Sequence, residues 1–329
     1  MKANPLIPVC LFSLAAMLVG PWPATAAAPE LTGFQLLPNR EVVLTASAAT
    51  NTNHRIDAAS NLSNWETLVT LPAPVGSLIQ HTDSAAPWAE SRFYRVAQLE
   101  NADAFTGDHL ATTNGDVVIH PLFHASLVLK WNNVVIYNDP DDDSAYQSTY
   151  QGLPKADLIL VSHTHGDHFS AAQIEAVRDA DTVIVAPAAV YSSLTAAQRA
   201  QAVPLANGAS TNLLGLTVSA VPAYNANHPV GAGNGYVLTI GGRRIYLSGD
   251  TGNTAEMRAL PDIDVAFLCM NQPFTMTVND ATNAVRAFRP KVVYPYHYRD
   301  QNGSTANAAT FKQLLGTDTG VEVRLRKWY

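Results

Sequence analysis

A layered α/β domain preceded by a small all-β module is the fold class that the sequence predicts, on three observations. Residues 31 to 97 consist of short alternating runs separated by turn residues, with no helical period. From about His109 onward, apolar β runs alternate with amphipathic helical stretches, which is the pattern of a layered α/β domain. Several of those later runs end in histidine or carboxylate. The 329 residues exceed one average domain, and 47% hydrophobic content is ample for a substantial core.

Residues 1–28 read as a signal peptide. Lys2 is the single early charge, an apolar core runs from Leu6 to Val19 around Pro8, and Ala24 to Ala28 offer Ala-x-Ala cleavage positions. Export to the periplasm or the extracellular space after cleavage is expected. No later run reaches the roughly 20 apolar residues that span a bilayer, so no transmembrane segment is expected. Cys269, in the apolar run Val265 to Met270, is then the sole cysteine of the mature chain and reads as a buried, inert thiol.

Residues 30–98 form the expected β-sandwich module. The runs His54 to Ala59, Trp65 to Leu71 and Arg92 to Val96 are separated by turn clusters such as Ser60 to Asn64 and Pro72 to Gly76. His54 and His81 read as surface strand residues. A linker is expected over residues 99–108, with Asn101 to Ala104 and Gly107-Asp108 as its loop-forming residues, and the second domain over 109–329.

In that second domain the first strands are Val117 to Ile119, Ser126 to Lys130 and Val134 to Tyr137, the latter two forming a hairpin about Trp131 to Asn133. Ser170 is placed to cap a helix over Ala171 to Ala180 with Ile174 and Val177 on one face. Asn279 or Asp280 caps a helix that ends at Arg289-Pro290, and Ser304 opens another that Gly316 closes.

The chemistry concentrates where strands end. His163, His165, Asp167 and His168 fall within six residues of a chain that has ten histidines, directly after the apolar run that follows Asp157. Residues i and i+2 of an extended segment project to one side, so His163 and His165 can reach one ion. Gly166 permits a sharp turn, beyond which Asp167 and His168 can serve a second ion. Three further runs end in polar, ligating groups: Arg244 to Asp250, Lys291 to His297, and Leu216 to Pro222 running into Tyr224 to His228. Ligands gather at the carboxyl ends of strands in open α/β sheets, so the four ends can meet in one cleft. Imidazole and carboxylate without thiolate suit zinc, and also manganese or iron. Packing three imidazoles and a carboxylate together has no stabilising logic without a metal, since buried polar groups need partners.

His-Thr-His-Gly-Asp-His is the His-x-His-x-Asp-His signature, and through it the chain resembles the metallo-β-lactamase-fold hydrolases. His124 to Ser126, Asp139-Pro140, Leu153 to Leu158, Ser248 to Thr251 and Tyr294 to Tyr298 resemble its branch with the ascorbate-phosphate lactonase and the N-acyl-phosphatidylethanolamine phospholipase D. The resemblance covers roughly residues 110–329. It implies an αββα sandwich with a dinuclear site: His163 and His165 on the first of two divalent ions, Asp167, His168 and His297 on the second, and Asp250 bridging them. The family's third histidine for the first ion falls here at Asn225, with His228 three positions later. Three readings stay open: His228 swings in, which is favoured; an amide oxygen substitutes; or the first ion is held weakly. Asp139 resembles the family's aspartate that orients a ligand histidine. His124 reads equally as a cleft residue or a strand-end residue, and Asp141 to Asp143 as a solvated turn. The N-terminal module resembles fibronectin-like modules of exported bacterial proteins and reads as a spacer or as an attachment to a surface or glycan.

Two such ions, expected as Zn2+ with Mn2+ or Fe2+ as alternatives, lower the pKa of a bridging water to roughly 7. The function implied is hydrolysis of an ester, lactone or phosphodiester bond in a small or lipid-like substrate by a metal-bridging hydroxide. Asp167 positions that hydroxide, and His228, Tyr296 or a metal-bound water protonates the leaving group. The loops Pro140 to Gly152, Asn227 to Gly235 and Asn271 to Asp280 carry hardly any cations, and a net charge of −7 without a basic cluster argues against nucleic acid. The alternatives are a catalytically inactive exported metal-binding or surface-binding protein and, further off, a β-lactamase.

Overall fold

The computed structural model describes residues 9–11, 28–100, 103, 105–141, 150, 152–305 and 307–328. Apart from Val9–Leu11, which pair in parallel with Arg92 to Tyr94, and Ala28, the expected signal peptide lies outside the described residues. Among the described residues no helix is long and apolar enough to cross a membrane. The chain divides into two units between Ala111 and Thr112.

The first unit is built of two sheets of mainly antiparallel strands. One orders Leu31–Leu36, Val42–Ser47 and Leu78–Asp83, and the other orders Arg92–Gln98, His54–Ala59, Glu66–Leu71 and Gly107–Thr112. Alternation does the sorting, since residues i and i+2 share a face. Val42, Leu44 and Ala46 point inward with Ile56, Ala58, Ile79, Tyr94 and Val96 into a single core. The same rule overturns the surface reading of two histidines. His54 follows the face of Ile56 and is 0% exposed, its Nε2 accepting from the Ala49 N–H at 3.2 Å, while His81 sits between Ile79 and Asp83 and is 9% exposed. The last strand also begins inside the segment expected as linker, with His109 Nε2 held 2.6 Å from Thr70 Oγ1.

One buried ion pair ties this unit together. Arg92 Nε donates to Asp83 Oδ2 at 2.8 Å and the Tyr94 hydroxyl donates to the same oxygen at 3.0 Å. Burial pushes the Asp83 carboxyl up, but the Arg92 guanidinium and the Tyr94 hydroxyl together hold it below the usual carboxylate range. The stabilisation is therefore fully present above the unfolded pKa of about 3.9 and is lost as pH falls below it toward the depressed folded value. Asp83→Ala strands a largely buried guanidinium and is expected to cost about 3 kcal/mol at neutral pH. Chemical denaturation of the full chain at pH 7 and pH 3 checks this, with the difference between native and variant shrinking at the lower pH.

The second unit is a four-layered αββα sandwich. One sheet orders Gly115–Phe123, Ser126–Trp131, Val134–Asn138, Leu158–Leu160, Val183–Ala186 and Ala202–Pro204, antiparallel at its start and parallel from Val134–Asn138 onward. The other orders Ser210–Leu213, Leu216–Ala223, Gly233–Ile240, Arg243–Leu247, Val265–Cys269, Val292–Tyr296 and Glu322–Val323. The two inner faces meet through hydrogen bonds as well as apolar packing: the Tyr236 hydroxyl donates to Val161 O at 2.7 Å, and Asn234 N to Ser162 O at 2.9 Å. Helices Ala171–Val177, Ala188–Ser193 and Ala196–Arg199 cover the first sheet, and Ala255–Arg258, Val278–Phe288 and Asn307–Leu315 the second.

Helix ends follow local hydrogen bonding more closely than composition. Ser170 caps the first helix as expected, accepting from Gln173 N, but the helix stops at Val177 because Arg178 is extended and Asp179 N turns to Thr182 Oγ1. Thr277, not Asn279 or Asp280, caps Val278–Phe288: its hydroxyl oxygen accepts from Asp280 N while its hydroxyl proton goes to the Asp280 carboxylate. Asn307–Leu315 begins three residues beyond Ser304, and Gly316 ends it with φ +63°. Asp141, expected in a solvated turn, is 4% exposed and accepts from the Tyr150 hydroxyl at 2.8 Å, whereas Asp142 and Asp143 lie outside the described residues.

Candidate metal centre

Six strand ends of the two sheets open onto the same edge of the sandwich, and each delivers one part of the site. His124 follows Phe123, Asp139 follows Asn138, and His163 stands three residues after Leu160. Asp250 stands three residues after Leu247, His297 follows Tyr296, and His228 lies in the turn beyond Ala223. Several adopt backbone that L-residues avoid. Of eight non-glycine residues with left-handed φ among those described, His124 (+56°), Asp139 (+46°) and His297 (+47°) belong here. Such a conformation costs on the order of 1–3 kcal/mol per residue and persists where surrounding structure over-determines it. Gly249, at φ +57°, turns Asp250 inward, and a Cβ there would stand 2.8 Å from Asn234 O.

The candidate ligand atoms fall into two groups. In the first, His165 Nδ1 lies 3.1 Å from His163 Nε2 and 3.2 Å from His228 Nε2. In the second, His297 Nε2 lies 3.0 Å from His168 Nε2 and 3.4 Å from Asp167 Oδ2, with His168 Nε2 3.7 Å from that oxygen. Asp250 stands between them. Its Oδ1 is 3.3 Å from His168 Nε2 and 3.4 Å from His297 Nε2, and its Oδ2 is 3.5 Å from His228 Nε2 and 4.0 Å from His163 Nε2. Donors about 2.0–2.2 Å from a tetrahedral ion stand about 3.3–3.6 Å apart, and the separations of 3.0–4.0 Å between these atoms bracket that edge length.

The hydrogen-bond network decides where the ring protons sit. Asp139, 0% exposed, accepts from Ser162 N at 2.6 Å, from the Ser162 hydroxyl at 2.8 Å and from His168 Nδ1 at 2.8 Å. A carboxylate only accepts, so His168 carries a hydrogen on Nδ1, and once neutral the ring presents its Nε2 lone pair to the site. The one hydroxyl proton of Ser162 is committed to Asp139, so Ser162 Oγ accepts from His163 Nδ1 at 3.0 Å, which turns that ring the same way. His228 Nδ1 faces Asn225 Oδ1 at 2.9 Å. Three inward lone pairs, the exposed His165 and two carboxylates thus make a cluster able to hold metal. Asp250 Oδ1, buried and without a hydrogen-bond partner among the described residues, fits the same role.

Electrostatics agree. Burial, reinforced by the other imidazoles, pushes His163 down to about 2 and also lowers His228. Burial works against ionisation of Asp250 and Asp167, yet the histidines around them hold both below the usual carboxylate range. His168 moves the other way: burial disfavours its charge, but Asp250, Asp167 and Asp139 hold its pKa well above the ordinary histidine value. Without an ion, a proton on His168 is therefore the positive charge that the carboxylates retain.

All seven residues expected as ligands from the sequence are brought together, and Asp139 contacts His168 as its resemblance implied. His228 turns its Nε2 into the first group, while the Asn225 amide oxygen faces His228 and not the cluster. His124 is more closely involved than a lone strand-end histidine indicated: its Nε2 is 3.2 Å from Asp167 Oδ2, and its ring centroid lies 3.6 Å from that of His297. Its sequence signals are its place at the end of a β run and the His124-Ala125-Ser126 motif that carries part of the resemblance. Tyr296 is fully buried with its hydroxyl accepting from Gly249 N at 3.0 Å, so it braces the turn before Asp250 and has no access to a leaving group. Cys269 is buried, as expected, and its thiol is pushed up to about 11, first by burial and then by Asp250. A cavity of about 190 Å³ opens beside the first group, bounded by Thr164, Ala223, Asn227, Pro229, Ala232 and Gly233.

Comparison with known proteins points the same way. Residues 119–297, more than half of the chain, match the family described as a beta-lactamase superfamily domain. A UPF0173 metal-dependent hydrolase of Pelotomaculum thermopropionicum is 33% identical over 183 residues, which are 52% of this chain and 79% of that protein. The crystal structure of a candidate metal-dependent hydrolase from Parabacteroides distasonis superposes with a TM-score of 0.61 at 39% identity, over 68% of this chain and 100% of that one. Igni18, a metallo hydrolase of Ignicoccus hospitalis, superposes with a TM-score of 0.54 at 25% identity, over 64% and 95% of the two chains.

Proposed function

Because this chain belongs to the metallo-β-lactamase superfamily and to its UPF0173 family of metal-dependent hydrolases, we propose that it is a dinuclear hydrolase of ester, lactone or phosphodiester bonds in small or lipid-like substrates. The observation that carries this reading is the inward convergence of ring nitrogens whose hydrogens are held on the outward side by Asp139, Ser162 and Asn225. A single shared proton can satisfy one pair of these atoms, whereas a divalent ion satisfies three or four at once. Histidine and carboxylate donors at this spacing fit two divalent ions, with zinc the best match to a histidine-rich set. Such ions supply Lewis acidity and water ionised near neutral pH.

His163, His165 and His228 would hold one ion and Asp167, His168 and His297 the other, with Asp250 placed beside both groups. Asp167, with 45% of its side chain exposed at the rim, also accepts a hydrogen from the attacking water and orients it. Thr164 and Asn227 line the adjoining cavity with neutral polar groups, and Ala223, Pro229 and Ala232 with small apolar ones, so the reacting group is seated without a cationic clamp. The enzyme is exported by its N-terminal signal, and the fibronectin-like first unit spaces it from, or attaches it to, a surface or glycan.

Metal analysis of the purified protein, followed by chelation and assay on ester, lactone and phosphodiester substrates, tests the proposal. Two ions per chain and turnover that disappears on chelation and returns with zinc are expected. Full turnover by metal-free protein contradicts it. His228→Ala is expected to reduce bound metal to about one ion per chain, because it removes one of three nitrogens from the first subsite; unchanged stoichiometry excludes His228 as a ligand.

A further inference from the structure

Asn225 occupies the position where the resemblance called for a ligand, yet its side chain is fully engaged elsewhere. Its Oδ1 receives three hydrogens: from Asn227 N at 2.8 Å, from His228 N at 3.1 Å and from His228 Nδ1 at 2.9 Å. Two of these donors are backbone N–H groups, which can only donate. The atom they face is therefore the carbonyl oxygen, and the third contact requires the His228 hydrogen to sit on Nδ1. The amide nitrogen is used as well, donating to Phe274 O at 3.1 Å, and Asn227 Nδ2 donates to Pro273 O at 3.1 Å. The turn is closed by Asn225 N donating to His228 O at 3.0 Å, and on its other side Gly252 N donates to Tyr224 O at 2.8 Å.

An oxygen saturated by three donors has no lone pair left for a cation, so direct ligation by Asn225 conflicts with its surroundings. We propose instead that Asn225 is a positioning residue: it locks the tautomer and ring angle of His228 so that Nε2 faces His165 and Asp250, and thereby sets the metal affinity of the first subsite without touching the ion. The Asn-x-x-His turn does for His228 what Asp139 does for His168, using an amide in place of a carboxylate. This rests on the metal-centre reading above.

Zinc titration calorimetry of the metal-stripped full chain, with cobalt absorption spectra of the same samples, tests it in native protein, Asn225→Ala and Asn225→Asp. Native protein is expected to bind two ions. Asn225→Ala is expected to bind the first-subsite ion about 10–100-fold more weakly, the usual effect of losing the partner behind a ligand histidine, with the second ion unchanged. Asn225→Asp keeps the acceptor oxygen while losing the bond to Phe274 O, and is expected to recover most of the affinity. Equal weakening in Ala and Asp assigns the effect to the grip on the Pro273-Phe274 segment and overturns the proposal. So does unchanged affinity in Asn225→Ala, or loss of both ions together with a lowered melting temperature in metal-free protein. If native protein binds no ion, the metal-centre reading itself fails and this inference with it.

Discussion

On the dinuclear reading proposed above, Asp250→Ala is expected to lower turnover by about a thousandfold or more, since a group beside both ions would affect each of their roles. Asp250 is 4% exposed, and among the described residues it is the one carboxylate that puts one oxygen toward each group of ligands. Removing it leaves five imidazoles facing each other with Asp167 the remaining carboxylate among the candidate ligands to offset bound cations. Metal content should fall below two ions per chain, and elemental analysis beside steady-state kinetics reads both effects. Asp250→Asn keeps the shape and loses the charge, so it should resemble the alanine variant in turnover while folding more like the native protein. Full activity in either variant would remove Asp250 from the centre.

Asp139→Asn is expected to weaken the second-subsite ion about 10–100-fold and to reduce turnover at least as much. The substitution is chosen for its backbone. Asp139 has φ +46°, which asparagine tolerates nearly as well as aspartate, whereas alanine would add backbone strain to the chemical change. The carboxylate now accepts from Ser162 N, the Ser162 hydroxyl and His168 Nδ1. An amide has one acceptor oxygen, so at least one of those donors meets an NH2 group. If that donor is His168 Nδ1, the neutral ring flips its hydrogen to Nε2, directly into the metal subsite. Disturbance of Ser162 passes on to His163, so the first ion should weaken too, by a smaller factor. Native affinity for both ions in Asp139→Asn would show that the proton-orienting network does not control the site.

These expectations also explain what the sequence could reveal. The cluster His163 to His168 is legible because its members are adjacent in the chain and their spacing reports one strand end and one turn. Asp250 and His297 are legible because strand ends in a layered α/β domain face a common edge. His124 and Asn225 were harder for the same reason: their parts are set by backbone and by a partner remote in sequence. The left-handed φ of His124 and its approach to Asp167, 43 residues away, leave no composition signal. Asn225 was visible only as a missing histidine, because an amide that folds back on the next turn looks like any loop asparagine. Local rules fixed strands well, as at His54–Ala59, and misplaced helix ends where a threonine outcompeted the expected cap, as at Thr277. The burial of His54 and His81 was readable from their apolar i±2 neighbours, and polarity alone misled there.

The most direct test of the account is crystallography of the native protein with anomalous diffraction measured at the zinc, manganese and iron edges. Two peaks about 3.5–4 Å apart are expected, one bounded by His163, His165 and His228, the other by Asp167, His168 and His297, with Asp250 between them. A well-ordered crystal grown with excess metal that shows no peak among these side chains, or peaks held by other residues, would contradict it.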